Sequence, residues 1–161
     1  MADLSFAKGL RYRLEACAAY ILYGFFRLLP VDVASKAGGI LARWLGPWSG
    51  IHRKAKKNLD LSLPDLTPED RQTILRDVWD NFGRVIAEYG TLSRIGRAGA
   101  ADRIELHGIE YLKHLAHEEK PAIIFSGHFA NWEMLVIAIS QNVKPPLIIY
   151  RAPNNPFIEG L

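Results

Sequence analysis

The stretch PAIIFSGHFANWEMLVIAISQN, residues 121–142, decides how the chain is read. Ala122 to Phe125 is a short apolar run closed by Ser126-Gly127, and a longer apolar run with a helix's length starts at Ala130. Strand, tight turn and helix in that order make half of a βαβ unit. The neighbouring segments extend the pattern. RIELHG (103–108) reads as a short strand, IEYLKHLAHEEK (109–120) as an amphipathic helix, and PPLIIYR (145–151) as a further strand. Strands alternating with helices of this length predict an α/β fold class, with βαβ units of a mainly parallel sheet. Three strands do not complete a sheet covered on both faces, and the chain stops on Gly160-Leu161 without a closing helix. The expectation is therefore an apparently truncated α/β domain that continues beyond this chain.

In that frame His128 stands at the carboxyl end of a parallel strand, where open α/β sheets bind ligands. Glu133 follows five residues later. In a continuous helix that spacing turns through about 500° and leaves the two side chains about 140° apart. They meet only if His128 precedes the helix and Glu133 lies in its first turn, which Asn131 as helix cap would give. Gly127 permits close backbone approach by a substrate. A histidine held by a carboxylate is the orienting pair of acyl-transfer chemistry, with the imidazole as general base toward an attacking hydroxyl. Ser126 lacks the G-x-S-x-G elbow of a serine hydrolase. The spacing alone is weak, because His114 and Glu119 repeat it on a polar helix end. From the residues, a catalytic pair and a helix-capping histidine beside an exposed glutamate both stay open.

The rest of the chain has a different character. Residues 1–60 carry ten Lys/Arg against four Asp/Glu, whereas residues 61–161 carry ten against thirteen. A basic, hydrophobic N-terminal third points to an anionic partner surface. From Ala16 to Phe26 there is no charge, and Tyr20, Tyr23, Phe25 and Phe26 suit a helix lying in or crossing a membrane interface. Arg53, Lys54, Lys56 and Lys57 form a basic cluster for lipid head groups or substrate phosphates. Nucleic acid is not expected, because no aromatic interleaving accompanies the cluster. Trp44 and Trp48 astride Gly46-Pro47 read equally as interfacial anchors or core packing. Thr67, Pro68, Glu69 and Asp70 open a helix whose stripe Ile74, Val78, Phe82, Val85, Ile86 and Tyr89 is expected to be buried, with Asn81, Arg84 and Glu88 in structural roles beside it. Cys17, the single cysteine, excludes an intrachain disulfide, and no metal-ligand motif such as H-E-x-x-H exists. The domain reading is a membrane-associated helix over 1–30, a helical region with the basic cluster over 31–98, and the first half of an α/β domain over 99–161, with GRAGAAD (96–102) as linker.

Three blocks carry a family resemblance. SGHFANWE (126–133), RKAKKNLDLSLPDLTPED with the later WDNFGRVIAE, and IIYRAPNNPFIEGL (148–161) resemble, in order, blocks of the lipid A late acyltransferases, a branch of the glycerolipid acyltransferase superfamily. The resemblance covers about residues 10–161. It implies that His128 is the general base and that Glu133 orients it. It further implies an acyl-carrier-protein thioester as donor with no other cofactor, and a hydroxyl of a lipid A precursor, a phosphorylated glucosamine disaccharide, as acceptor. Arg151 and Asn155, from the third block, and Gly127 would contact substrate, and Arg53, Lys54, Lys56 and Lys57 would face the membrane or lipid A phosphates. The implied location is the cytoplasmic face of a bacterial inner membrane. A glycerol-phosphate-type acyltransferase and a non-catalytic membrane-binding scaffold are the alternatives.

Overall fold

The structure is a computed structural model that describes residues 6–95, 103–117, 122–142, 147–149 and 152–159. Its frame begins with the helix the sequence marks most clearly. α4 (Pro68–Tyr89) starts where Thr67 Oγ1 accepts the Asp70 amide at 3.1 Å, with Pro68 in the first turn where no amide is needed. Three helices precede it: α1 (Phe6–Leu28), α2 (Val31–Leu45) and α3 (Gly50–Ser62), with a 3-10 turn at Gly46–Trp48 between the last two. α5 (Leu92–Ile95), α6 (Ile109–His117) and α7 (Glu133–Asn142) follow.

α2 and α4 form the central contact. They approach so closely that a Cβ on Gly38 would lie 2.3 Å from the Gly83 carbonyl oxygen, and one on Gly83 would lie 2.2 Å from the Gly38 carbonyl oxygen. Phe26, Ala34 and Ala87 meet at one end of this contact, with Leu29 and Ala37 packed against them. At the other end Trp79 fills the space over Gly46, where a Cβ would overlap the indole. α1 packs against the end of α4 and buries only Tyr12, Ala16 and Phe26. Its other apolar side chains, including Phe6, Leu14, Ile21, Phe25 and Leu28, are exposed. Among the described residues, no helix is long and apolar enough to cross a membrane.

Two expectations are corrected here. The mainly parallel sheet with βαβ units is absent: the described residues form helices and turns, with no strand among them. α6 and α7 occur between the apolar runs as expected, and pack on each other. The runs themselves do not pair. A strand exists only through ladder hydrogen bonds to a neighbour, and none joins 122–129 to 104–106 or 147–149. Phe125 and Leu147 are accordingly 89% and 95% exposed. The buried stripe of α4 is also displaced. Its side toward α2 consists of Leu75, Trp79, Gly83 and Ala87; of the expected stripe Val85 is buried, whereas Val78, Phe82 and Ile86 stay roughly half exposed. Small residues at 83 and 87 admit α2, so that side of the helix becomes the interior. The linker at 96–102 lies outside the described residues.

Candidate active site

The half-exposed side of α4 faces the turn that carries His128. In this turn the Phe129 amide donates to the Gly127 carbonyl at 2.9 Å, a three-residue bond that puts His128 at the tip. Gly127 lets the exposed Phe129 ring fold back over the turn, to within 2.5 Å of where a Cβ would stand. Ala130 follows with φ 44°, a left-handed conformation that costs an alanine on the order of 1 kcal/mol. This reversal lets the chain enter α7, whose first turn closes with Met134 N–H on the Asn131 carbonyl at 3.1 Å. Asn131 thus opens α7 through its backbone, while its side chain serves elsewhere.

Two consecutive residues at the end of α4 grip this segment. Glu88 Oε2 accepts from Asn131 Nδ2 at 2.7 Å, and Tyr89 donates its hydroxyl to Glu133 Oε1 at 2.8 Å. Glu88 is itself held on α2, where Ser35 Oγ donates to Oε1 at 2.7 Å. Burial, reinforced by the hydrogen bond to the Glu133 carboxylate, pushes the Tyr89 hydroxyl above its ordinary value, so Tyr89 remains a donor. Asn131 Oδ1 is buried without a hydrogen-bond partner among the described residues.

His128 is exposed, and its ring lies 4.6 Å from that of Trp132 at 55°. Together these two rings close one side of a groove of about 540 Å³ against α4. Ile74, Val78, Phe82 and Val85 make its apolar floor, with Asp77 and Asn81 at its edge. Four residues of the stripe expected to pack in a core, Ile74, Val78, Phe82 and Val85, therefore line this groove. His128 and Glu133 flank the start of α7, but no hydrogen bond joins them; Glu133 is bonded to Tyr89 and keeps Oε2 without a described partner.

The remaining expected site residues fall elsewhere. Asn155 is buried against α1: its amide donates to the Tyr12 carbonyl at 2.8 Å and to Glu15 Oε2 at 3.3 Å, and its oxygen accepts from the Phe157 amide at 3.0 Å. It does not line the groove. Arg151 lies outside the described residues. Arg53, Lys54, Lys56 and Lys57 are exposed on α3. Lys56 alone of the four turns into a second cavity of about 490 Å³, between α2, α3 and α4, which Arg43, His52, Arg71, Arg76 and Trp79 also line. No group of three metal-ligating side chains forms among the described residues. Sequence reasoning missed Tyr89 as a partner of Glu133 and the second cavity, because both depend on residues brought together across the fold.

The sequence model of the bacterial lipid A biosynthesis acyltransferase family matches residues 5–161. A lipid A biosynthesis acyltransferase of Haemophilus influenzae is 28% identical over 108 residues, a match that takes in 66% of this chain and 33% of that relative. The chain therefore aligns with about a third of the length of the curated relative it resembles. No solved structure matches.

Proposed function

The chain belongs to the bacterial lipid A biosynthesis acyltransferase family, and on that footing we propose that it transfers a fatty acyl group from acyl-carrier protein to a hydroxyl of a lipid A precursor. The observation that carries this reading is the position of His128, at the tip of a turn and beside an apolar groove on α4. The groove suits a hydrocarbon chain, and the imidazole suits the reacting hydroxyl at its edge. In the proposed reaction the acceptor oxygen attacks the thioester carbonyl while His128 takes its proton. The tetrahedral intermediate collapses to an ester, and the imidazolium returns the proton to the departing thiolate. Glu133 is assigned the orienting role through Oε2, the oxygen that Tyr89 leaves free. Arg151 and Gly127 remain candidates for substrate contact.

The exposed apolar side of α1 and the cations of α3 support residence at an anionic membrane surface, here assigned to the cytoplasmic face of the inner membrane. One observation favours a second reading, a non-catalytic membrane-binding scaffold: Glu133 is bonded to Tyr89 rather than to His128.

Transfer of a labelled acyl group from acyl-carrier protein to a lipid A precursor, compared between the full-length protein and its His128→Ala variant, separates the two. Loss of the general base is expected to slow turnover by about 100-fold or more, with folding unchanged. Turnover retained by the variant would select the scaffold.

A further inference from the structure

The cavity on the other side of α4 has a chemistry the groove lacks. Four cationic side chains, Arg43, Lys56, Arg71 and Arg76, line it together with His52 and Trp79, and no carboxylate is among its lining residues. Two of the three arginines are placed in advance, while the exposed Arg76 only approaches Asp77 Oδ1 at 3.7 Å. Arg71 Nε lies 2.8 Å from Asp60 Oδ1, and Arg43 Nε lies 3.3 Å from Asp80 Oδ1, each carboxylate acting from behind the cavity wall. The Arg71 contact lacks hydrogen-bond alignment, so its buried Nε–H has no acceptor. His52 is oriented as well: Trp79 Nε1 donates to its Nδ1 at 3.0 Å, which leaves Nε2–H as the remaining donor of the neutral ring. Fixed guanidinium forks, a lysine and an imidazole N–H converging on one space match the several oxygens of a phosphate.

The rim shows where that phosphate comes from. Arg43 and Pro47 line the cavity, and the adjoining Trp44 and Trp48 are 76% and 90% exposed. Leu45 and Ile51 beside them are exposed too. A soluble anion has no use for an apolar rim, whereas tryptophan side chains settle at the depth of lipid head groups.

We propose that this cavity binds the phosphate of a membrane lipid headgroup, with Trp44 and Trp48 seated in the surrounding interface. In the acyltransferase reading, on which only the identity of the lipid rests, the headgroup belongs to the phosphorylated disaccharide acceptor. α4 then separates two compartments for one amphiphile, hydrocarbon on one side and phosphate on the other. The contact between Trp79 and Phe82, ring centroids 5.9 Å apart, is the wall between them.

The test is retention of the full-length protein on phosphatidylcholine vesicles doped with a phosphorylated glucosamine-disaccharide lipid. The comparison vesicles carry the same lipid without its phosphates, or phosphatidylglycerol at matched charge. Preference for the phosphorylated disaccharide is expected to fall about tenfold in Lys56→Gln/Arg76→Gln and to return in Lys56→Arg/Arg76→Lys. Arg53→Gln/Lys54→Gln/Lys57→Gln, which alters the outer face of α3, should weaken binding to all anionic vesicles alike. Retained preference in the first pair overturns the cavity. Displacement by inorganic phosphate at the concentration of the lipid phosphate overturns the lipid source. The acyl-transfer comparison with His128→Ala is independent of these arms. Loss of turnover in that variant, with an unaltered vesicle preference in the cavity pair, would discard the cavity and leave the reaction standing. A preference that fails in the cavity pair beside turnover unaffected by His128→Ala would keep the cavity and discard the reaction.

Discussion

Tyr89 shows how one side chain near the end of a helix can govern the group beside a reacting centre. Its hydroxyl is raised above the ordinary 10.0, first by burial and then by the Glu133 carboxylate, and so donates to Glu133 at every working pH. Replacement by phenylalanine removes a partly buried, charge-assisted hydrogen bond, and a loss of about 1–2 kcal/mol is expected in urea unfolding followed by helical dichroism. The sign with pH is set by the direction of the shift. A raised folded value gives a contribution that is full below pH 10.0 and is lost as pH climbs through the folded value. Wild type and Tyr89→Phe should therefore differ by a constant amount at neutral pH and converge only in strong alkali. Thr67 offers a simpler case. Thr67→Ala deletes the cap on Asp70 N–H and is expected to cost about 1 kcal/mol in the same measurement. That cap was legible in the chain because Thr-Pro-Glu-Asp is local chemistry. The bond between Tyr89 and Glu133 was not, since 44 residues separate its partners.

Among the elements, α4 teaches most about what periodicity can and cannot say. Ile74, Val78, Phe82 and Ile86 recur every four residues, and so do Leu75, Trp79, Gly83 and Ala87 one position later. Hydropathy favours the first row as the interior. Packing selects the second, because only glycine and alanine let α2 come within backbone contact. An apolar stripe reports that a face avoids water in some context, not which neighbour covers it. Adding a methyl group tests the packing. Gly83→Ala places a Cβ against the Gly38 carbonyl and is expected to destabilise by about 1–3 kcal/mol. The same limit explains the sheet. The runs around Ile123 and Ile148 have strand composition, but strand pairing is a relation between distant segments that composition does not contain. Asn155 was legible only as part of a block, and in the fold its amide ties the segment after Pro153 to α1.

For the molecule as a whole, the distribution of charge and exposed apolar surface sets its relation to a bilayer. The exposed aromatic turn at Trp44–Trp48 and the cations of α3 are neighbours along the chain, so two separable contributions to vesicle binding are expected. Trp44→Ala/Trp48→Ala should reduce retention at every ionic strength, whereas the cationic part should fade as salt shortens the Debye length from about 30 Å at 0.01 M to about 10 Å at 0.1 M. A titration of vesicle co-sedimentation against salt for both proteins checks this. The double tryptophan variant should give a curve shifted downward with its slope preserved. A changed slope would mean that the two contributions are not separate. α4 carries a further implication for this arrangement. Groove and basic cavity are lined from one continuous helix by interleaved residues, Ile74, Asp77 and Val78 facing the groove between Gln72, Leu75, Arg76 and Trp79 facing the cavity. One residue added between Trp79 and Phe82 would turn Phe82 and Val85 about 100° away from Ile74 and Val78 and break the groove in two. Side chains on this helix are free to vary within their chemistry. Its length is not, and homologous chains should show insertions in every neighbouring turn before they show one here.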